Sequence, residues 1–488
     1  MEKRVAIIGA GVCGLTTAKC CLDEGVDIVV FERSKNTGGL WRFQNDVRSN
    51  GSLNQSDGTA TVMHSTVINS SKELSAFSDF PPPDHFPNYM HNTQMMEYLD
   101  QYGNNFNFNA HVRLQHEVIS VTPTINHEST GQWQVRYKDL RTDLESNEVF
   151  DAVYICTGHH GYKSMPDPLP GQETFRGKII HSHDVKTGEH FRNQRIVVVG
   201  LGNSGADLAA ELSPIAKQVY VSIRHGTWVV HRVGPFGLPL DLFYLRRIVD
   251  ILLRLLPYWL FCSCFENFVN TRFDHDRYRL KPSNRILSQH ITVNDALPNL
   301  IISGRTQIRS KIERFTVDGV VFDDGQMVKV DTVIFATGYR IQFPFLSNSL
   351  VQVERNQIPL YKFVFPPHLP QPHTLAFIGL VQPLGPIMPA AELQARWAVK
   401  LLVNGGGLPN EQSMMKDIEL KYKQMERFYE SERHTVSFDW IPYMDEIATE
   451  IGSMPPLWKY FFTDPKLWFQ LIFGCAGAYQ YRLVGKSI

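Results

Sequence analysis

The sequence predicts an α/β fold built around two copies of one local unit: a buried strand, a glycine turn, a helix and a second strand. Three observations predict this fold. One copy lies at the N terminus and the other begins near residue 195. Both carry their glycines in the spacing G-x-G-x-x-G, and the second strand ends in an acid in one copy and in an arginine in the other. Two such units predict two Rossmann-like dinucleotide-binding domains in one chain.

The first unit opens with an apolar, β-branched run at residues 5–8, which is typical of a strand buried on both faces. Gly9, Gly11 and Gly14 follow and lead into a helix. Gly9 permits the tight turn, Gly11 lets a pyrophosphate approach the backbone, and Gly14 lets the helix pack closely on the strand. The second strand ends at Glu32, whose carboxylate can accept hydrogen bonds from the ribose hydroxyls of a dinucleotide.

The second unit repeats this pattern after a buried run at residues 195–199. Five residues of its turn are predicted to bind a cofactor: Gly200, Gly202, Asn203, Ser204 and Gly205. The next strand leads to Arg224. A carboxylate there would repel the 2′-phosphate of NADPH, whereas a guanidinium can bind it through two hydrogen bonds. Glu32 therefore predicts FAD at the first unit, and Arg224 predicts NADPH at the second.

The glycine spacing alone is weak evidence, because 34 glycines in 488 residues produce it by chance about 0.2 times. The flanking strands, the helix and the terminal charged residue make it specific. A second double glycine, Gly38-Gly39, follows the first unit and precedes Leu40 and Trp41. Gly39, Leu40 and Trp41 are predicted to contact the cofactor, and the alternative is a plain turn.

Composition sets the outer limits. A length of 488 residues predicts two to four domains, and 43% hydrophobic residues can fill a sizeable core. The net charge of −1 gives no indication of nucleic-acid binding. Seven cysteines without regular spacing favour a reducing compartment. The glycine turn lies inside the apolar N-terminal run, so this run is not a signal peptide, and no apolar run is long enough to predict a transmembrane helix.

Six sequence blocks carry a resemblance to a known family. They are Phe175-x-Gly177-x-x-x-His181, Gly200-Leu201-Gly202-Asn203-Ser204-Gly205, Gly226-Thr227-Trp228, Gly237-Leu238-Pro239, Phe335-Ala336-Thr337-Gly338-Tyr339 and Gln382-Pro383-Leu384-Gly385. On these blocks the chain resembles the animal flavin-containing monooxygenases along nearly its whole length. The first block normally ends in an aromatic residue where this chain has Val185, and the family often has paired arginines where this chain has Arg224-His225.

The resemblance implies an enzyme with FAD and NADPH as cofactors. NADPH would reduce FAD, and dioxygen would add to the reduced flavin. The resulting 4a-hydroperoxide would transfer one oxygen atom to a soft nitrogen or sulfur nucleophile, that is, to an amine or a sulfide. The chain lacks the G-x-S-x-G, H-E-x-x-H and C-x-x-C motifs, and the sequence indicates no metal site.

The resemblance also implies that Asn69 is the catalytic residue and lies against the flavin, and that Thr337 and Gly338 belong to the cofactor site. Taken without the resemblance, Asn69 before two serines predicts a helix cap. His181 and Tyr339 are predicted to be structural, the first by fixing a loop and the second by packing at the domain junction.

Other functions remain open at this point. Baeyer–Villiger oxygenation of ketones uses the same flavin chemistry, an uncoupled enzyme would act as an NADPH oxidase, and a non-catalytic protein could sense NADPH with both sites. Flavin disulfide reductases share the two-unit plan, but the C-x-x-x-x-C pair that they need is missing. The intact glycines, Glu32, Arg224 and Asn69 argue against a non-catalytic sensor.

We expect an FAD domain formed by residues 1–160 and 331–488, with an NADP domain at residues 161–330 between them. A helical insertion is expected at about residues 235–295. Its apolar segment, residues 240–268, is interrupted by charges and predicts an amphipathic helix that lies in a membrane interface or packs on the protein body.

The expected partners are a small amine or sulfide and dioxygen, with no nucleic acid; peripheral membrane contact and homo-oligomerisation stay open. The chain ends at Ile488 without the hydrophobic anchor that the resemblance implies for vertebrate members. We therefore expect it in the cytoplasm or on the cytosolic face of the endoplasmic reticulum.

Overall fold

The computed structural model describes residues 3–44, 58–288, 291–428 and 436–484, so Ile488 lies outside it. Within these ranges the strands are β1 (Arg4–Ile8), β2 (Asp27–Glu32), β3 (Val112–Leu114), β4 (His116–Pro123), β5 (Trp133–Asp139), β6 (Leu144–Phe150), β7 (Ala152–Ile155), β8 (Tyr162–Lys163), β9 (Lys178–His181), β10 (Arg195–Val199), β11 (Gln218–Ser222), β12 (Val229–Val230), β13 (Thr292–Val293), β14 (Thr306–Arg309), β15 (Ile312–Thr316), β16 (Gly319–Phe322), β17 (Met327–Lys329), β18 (Thr332–Phe335), β19 (Tyr339–Arg340) and β20 (Leu375–Phe377).

The helices are α1 (Val12–Asp23), α2 (Lys72–Ser75), α3 (Asn92–Asn105), α4 (His127–Thr130), α5 (Asn203–Leu212), α6 (Asp241–Tyr244), α7 (Arg247–Leu255), α8 (Tyr258–Asn270), α9 (Leu297–Ile302), α10 (Ile387–Val403), α11 (Glu411–Phe428), α12 (Trp440–Ile451), α13 (Leu457–Thr463) and α14 (Pro465–Phe473). Short single turns of 3₁₀ helix connect several of these elements.

The first parallel sheet has the strand order β20-β7-β1-β2-β3. Both faces of its central strand are covered, because Val5 and Ile7 enter one apolar core and Ala6 and Ile8 enter another. This explains why β1 is a continuous apolar run rather than an alternating one. The sheet takes β20 from the second half of the chain, so it is assembled from both ends of the sequence.

The second parallel sheet has the order β14-β11-β10-β18-β9. Its central strand β10 is covered in the same way, with Ile196 and Val198 in one core and Val197 in the other. The expected boundary lies at residue 331, and the next strand, β18 (Thr332–Phe335), pairs with β10 in this sheet. We propose that the chain leaves the second domain after Phe335.

Two linkers join the sheets, and their short strands β8 and β19 pair antiparallel. Tyr339 in β19 packs its ring near the rings of His160, His181 and His183, with centroids 5.4, 5.5 and 6.1 Å away. Its place at this junction agrees with the packing role expected from the sequence.

The insertion differs from the single amphipathic helix that the sequence predicts, because it forms α6, α7 and α8. The backbone leaves helical geometry at Leu245 and Arg246, and Pro257 starts α8 after a second break. The α7 segment packs on α14 near the C terminus, and the buried Arg247 at the start of α7 contacts Asp445 on α12. Among the residues that the structure describes, no helix combines the length and apolar character needed to cross a membrane.

Candidate functional site

A cavity of about 740 Å³ extends between the glycine turn of the first unit, the start of α5 in the second unit, and the insertion. Its volume lies in the range that is common for cofactor and ligand sites. Eight of the predicted site residues line it: Gly9, Gly11, Glu32, Gly39, Leu40, Trp41, Asn69 and Asn203. The other eight lie outside its walls: Gly14, Gly200, Gly202, Ser204, Gly205, Arg224, Thr337 and Gly338.

Two glycines of the first turn leave no room for a side chain. Gly9 has a φ of 101°, and a Cβ there would lie 2.8 Å from the carbonyl oxygen of Cys156. A Cβ on Gly14 would lie 2.0 Å from the carbonyl oxygen of Gly9. Because the residue before α1 is Gly11, its side chain cannot cap the helix, and the first N–H groups point to where a phosphate would bind.

Glu32 secures this turn at the cavity wall. One carboxylate oxygen accepts a hydrogen bond from the N–H of Ala10, and the other accepts one from the N–H of Ser34, both at 2.8 Å. The side chain is thereby fixed beside the glycine turn, and its remaining lone pairs are available to ribose hydroxyls.

The Gly38-Gly39 segment closes over the first turn. The N–H of Gly38 donates to the carbonyl oxygen of Ala10 at 2.9 Å, and Gly39 has a φ of 53°. A Cβ on Gly39 would lie 2.9 Å from the Cα of Gly11, so the two glycines face each other directly. Leu40 and Trp41 continue from this contact along the cavity.

The second glycine turn has nearly the same backbone but a more open face. Gly200 has a φ of 101°, and a Cβ on Gly205 would lie 2.2 Å from the carbonyl oxygen of Gly200. A Cβ on Gly202, in contrast, would meet no described atom within 4 Å. The turn is therefore a shallow backbone cradle at the N terminus of α5, as a pyrophosphate requires.

The polar residues of the second unit have separate tasks. Asn203 accepts a hydrogen bond on Oδ1 from the N–H of Val293 at 2.8 Å and so holds β13 against α5. Ser204 is exposed in the first turn of α5. Arg224 is exposed after β11 and makes no hydrogen bond or ion pair with the described residues. Its guanidinium is free to bind an anion.

Asn69 lies in the wall of the same cavity as the first glycine turn. Its Oδ1 accepts a hydrogen bond of 2.7 Å from Nη2 of Arg232. The following helix α2 begins at Lys72, with Ser71 as the residue before it, so Asn69 is not the helix cap that the sequence alone suggested.

The insertion supplies an apolar part of the remaining cavity wall. Its apolar and aromatic lining residues include Leu240, Tyr244, Leu245, Phe265, Leu287 and Ile291. The sequence pattern singles out the apolar segment 240–268 but does not show that it lines a cavity, and it gives no link to Leu287, Ile291 or Arg232, which only the fold brings there. For Arg232, the one local signal is a cation after the apolar strand β12.

Thr337 and Gly338 use their polar groups at the domain junction. Thr337 Oγ1 donates to the carbonyl oxygen of Ser164 at 2.5 Å, and the Gly338 oxygen accepts from Nε2 of His181 at 3.0 Å. His181 Nδ1 accepts from the N–H of His183, so the proton resides on Nε2. Burial lowers the pKa of His181 to about 4, and this neutral histidine fixes the loop as expected.

The cavity holds no reactive thiolate at neutral pH. Cys13 lines it beside the first glycine turn, and burial raises the pKa of its thiol to about 12. Cys13 therefore contributes to the cavity wall as a small neutral side chain.

These features fit two dinucleotides. FAD would be held by the first turn, Glu32 and the Gly38-Gly39 segment. NADPH would be held by the second turn and Arg224. Each turn offers a glycine whose missing side chain leaves space for a pyrophosphate, and each lies at a helix N terminus.

Comparison with known proteins agrees with this assignment. The family described as flavin-binding monooxygenase-like matches residues 2–487. Mouse flavin-containing monooxygenase 5 is 46% identical over all of this chain and 90% of its own length, and mouse dimethylaniline monooxygenase [N-oxide-forming] 2 is 43% identical over the same shares.

Among solved structures, S-allyl-L-cysteine S-oxygenase from Allium sativum superposes with a TM-score of 0.70. It is 27% identical, and the match covers 96% of this chain and 95% of that one. The predicted fold class, the enzyme class and the cofactors FAD and NADPH are thereby confirmed. The chain belongs to the flavin-binding monooxygenases and is an enzyme of the animal flavin-containing type.

Proposed function

We propose that this enzyme oxygenates a soft nitrogen or sulfur atom of a small molecule, such as a tertiary amine or a sulfide. NADPH, a proton, dioxygen and the substrate give NADP⁺, water and the oxygenated substrate. When bound, FAD accepts hydride from NADPH and supplies the activation of dioxygen. The chain's own residues bind the reactants, orient them and exclude water.

The observation that carries this proposal is the composition of the cavity. The wall from the insertion is mainly apolar and aromatic, and Asn69 and Arg232 add polar groups to the same cavity. An apolar wall favours the neutral form of an amine, which has the lone pair needed for oxygen transfer, and it suits a sulfide equally well. The names of the N-oxide-forming mouse relative and the garlic S-oxygenase support the same substrate class.

The test compares three substrates with the purified holoenzyme, NADPH and air: N,N-dimethylaniline, methyl p-tolyl sulfide and cyclohexanone. We expect N-oxide and sulfoxide in amounts close to the NADPH consumed. Lactone from cyclohexanone as the main product would replace this proposal with Baeyer–Villiger oxygenation. Hydrogen peroxide as the main product with all three would indicate an oxidase.

We assign Asn69 as the catalytic residue of this reaction. Its amide lies at the cavity wall, where it can donate a hydrogen bond to an oxygen atom in the reaction. Asn69→Ala is expected to retain FAD and to lower product per NADPH consumed by about 10²-fold, as for other lost hydrogen-bond donors in active sites. Flavin absorbance, product and hydrogen peroxide are measured together. Unchanged product yield would remove Asn69 from the reaction.

A second proposal concerns the exposed face of α7, α8, α13 and α14, which we call the apolar face. Its exposed side chains are Ile251, Leu252, Leu255, Leu256, Trp259, Trp458, Phe461, Phe462, Phe469 and Phe473. Because α7 packs on α14, the insertion and the C-terminal helices form one surface. Exposed Arg254, Lys459 and Lys466 lie among the aromatic residues, a combination typical of peripheral membrane contact.

We propose that the apolar face binds the surface of an anionic bilayer, in keeping with the expected location in the cytoplasm or at the endoplasmic reticulum. The test is flotation of the holoenzyme with phosphatidylserine-containing vesicles. Trp458→Ser combined with Phe462→Ser should abolish flotation. Ile125→Ser, which changes an equally exposed apolar side chain elsewhere, should not. Flotation that survives the double substitution, or no flotation of the unaltered protein, would contradict this proposal.

A further inference from the structure

Arg232 makes a dense set of contacts at the cavity wall. Its side chain is 12% exposed, and its guanidinium donates to Asp295 Oδ2 at 2.8 Å and to Asn69 Oδ1 at 2.7 Å. Nε lies 3.3 Å from the carbonyl oxygen of Ile68, and Nη2 lies 3.5 Å from that of Val67. One cation thus holds three successive residues of the segment that carries Asn69.

The position of Arg232 is itself fixed on two sides. The backbone N–H of Arg232 donates to Asp295 Oδ1 at 2.8 Å, so Asp295 accepts hydrogen bonds from both the backbone and the side chain of Arg232. The hydroxyl of Tyr89 donates to the carbonyl oxygen of Arg232 at 2.8 Å. A side chain held by this many contacts keeps one rotamer and can transmit an orientation to its neighbour.

The contact with Arg232 determines which way the amide of Asn69 faces. A guanidinium has only hydrogen-bond donors, so the atom that it touches must be the amide oxygen. The oxygen of Asn69 is therefore committed to Arg232, and the N–H₂ group is the end left for the cavity. Asn69 can therefore donate a hydrogen bond to a group bound in the cavity.

A second contact holds the same segment from the insertion. The N–H of Ser71 donates to Asp241 Oδ2 at 2.6 Å, and Asp241 opens α6. Asn69 and Ser71 follow the first glycine unit in the chain, whereas Arg232 and Asp241 follow the second. The segment that carries Asn69 is thus held by residues that follow the second unit.

We infer that Arg232 is the positioning residue that orients Asn69, so that its N–H₂ group donates into the cavity during oxygen transfer. Arg232 acts through Asn69 and not by direct contact with substrate. The inference rests on the proposed catalytic role of Asn69. It predicts that Asn69→Asp behaves like Asn69→Ala, because a carboxylate would pair with Arg232 and has no N–H to offer.

The test is a double-mutant cycle on the holoenzyme with Asn69→Ala, Arg232→Met and the double variant. Two quantities are measured: product per NADPH consumed, and the visible absorption spectrum of the bound oxidised flavin, which does not depend on turnover. Arg232→Met should lower product yield by roughly tenfold or more, since a misplaced catalytic group loses most of its effect. Its spectrum should match that of Asn69→Ala. The double variant should be no worse than Asn69→Ala, because residues that act through one another are not additive.

Two further variants guard against a folding defect. Arg232→Lys keeps the charge and one hydrogen bond and should recover part of the yield. Arg192→Met removes an exposed arginine paired with Glu189 and should change neither quantity.

The outcomes separate the two claims. A normal yield from Asn69→Ala would overturn the proposed role of Asn69 and the inference with it. A low yield from Asn69→Ala with a normal yield from Arg232→Met would overturn the inference alone. A double variant whose yield falls by the product of the two single effects would show that Arg232 acts independently, which also overturns the inference.

Discussion

The two glycine units share a backbone but differ in how they are enclosed. Gly9 and Gly200 have the same φ of 101°, and Gly14 and Gly205 each lie against the carbonyl oxygen of the first glycine. The first turn, however, is covered by the Gly38-Gly39 segment and secured by Glu32, which accepts two backbone hydrogen bonds. The second turn is open, and its charged residue, Arg224, is exposed.

We propose that this difference separates a resident cofactor from one that is exchanged. FAD at the covered turn would need the Gly38-Gly39 segment to move before it could leave. NADPH at the open turn could leave without such a movement, and NADP⁺ has to leave once in each catalytic cycle. On this proposal the same sequence motif serves two kinetic roles, and the residues around it decide which.

The largest effect on cofactor binding is expected when the third glycine of each unit is replaced by valine. Gly14→Val and Gly205→Val would each place a side chain within about 2 Å of a backbone oxygen, so the helix would have to move. Gly14→Val should abolish flavin binding, whereas Gly205→Val should retain flavin and lose NADPH. Absorbance near 450 nm and the KM for NADPH report these outcomes.

Gly325→Ala is a suitable control for both, because a Cβ there meets no described atom within 4 Å; its φ of 78° brings only the strain of a surface turn. Loss of flavin from both valine variants would contradict the separation of the two sites.

Glu32→Ala should have the next largest effect on flavin binding and stability. It removes the acceptor for the N–H groups of Ala10 and Ser34, and each unpaired group costs about 1–3 kcal/mol. We expect a lower melting temperature and partial loss of flavin. Glu32→Gln keeps one amide oxygen as acceptor for the N–H of Ala10. Its melting temperature and flavin content should lie between those of Glu32→Ala and the unaltered protein. A Glu32→Ala protein with normal flavin content would mean that the first turn does not depend on this anchor.

A pH effect should distinguish the helices of the two units. Asp207 on α5 occupies the place of Thr16 on α1, and burial raises its pKa to about 6 even though Asn294 donates to it. Because the pKa is higher in the folded protein, the protonated carboxyl group favours folding. This contribution to the free energy of unfolding is complete below about pH 4 and is lost as the pH rises through 6. Ionised Asp207 therefore costs up to about 3 kcal/mol above pH 6.

Asp207→Asn keeps the acceptor and removes this cost. Its melting temperature should equal that of the unaltered protein at pH 4 and exceed it at pH 8. Thr16→Ser, the matched change on α1, should give a difference that does not vary with pH. If Asp207→Asn raised the melting temperature as much at pH 4 as at pH 8, the effect of the substitution would not be due to ionisation of Asp207.

The sequence predicts what is local in this protein. The two glycine units, Glu32 and Arg224 could be identified because strand, turn and helix lie within about thirty consecutive residues, and each residue type has a distinct physical role. The walls of the cavity could not be identified. Tyr244, Phe265 and Arg232 reach it from separate segments, and no spacing links them to Asn69.

The insertion also shows that local sequence patterns do not predict contacts between distant segments. Residues 240–268 have the pattern of an amphipathic helix, but three helices form, because Pro257 ends one and Leu245 leaves helical geometry. Packing of α7 on α14, more than two hundred residues away, is not visible in any local pattern. The boundary expected at residue 331 depends on a related limit: the apolar run of β18 carries no sign of which sheet it joins, and in the structure it pairs with β10.

The smallest effect, and the sharpest test of the open turn, is expected from Arg224→Ala. The side chain is exposed and has no partner among the described residues, so its loss should leave the melting temperature and the flavin content unchanged. Binding of NADPH should weaken by about 1.5–3 kcal/mol, the value of a hydrogen bond to a charged group, whereas binding of NADH should not change. Titration of both nucleotides into the holoenzyme measures this difference, with Arg192→Ala as the exposed-arginine control. Equal weakening of both nucleotides would show that Arg224 does not contact the 2′-phosphate, and the contrast between an acidic and a basic end of the two units would then have no bearing on cofactor choice.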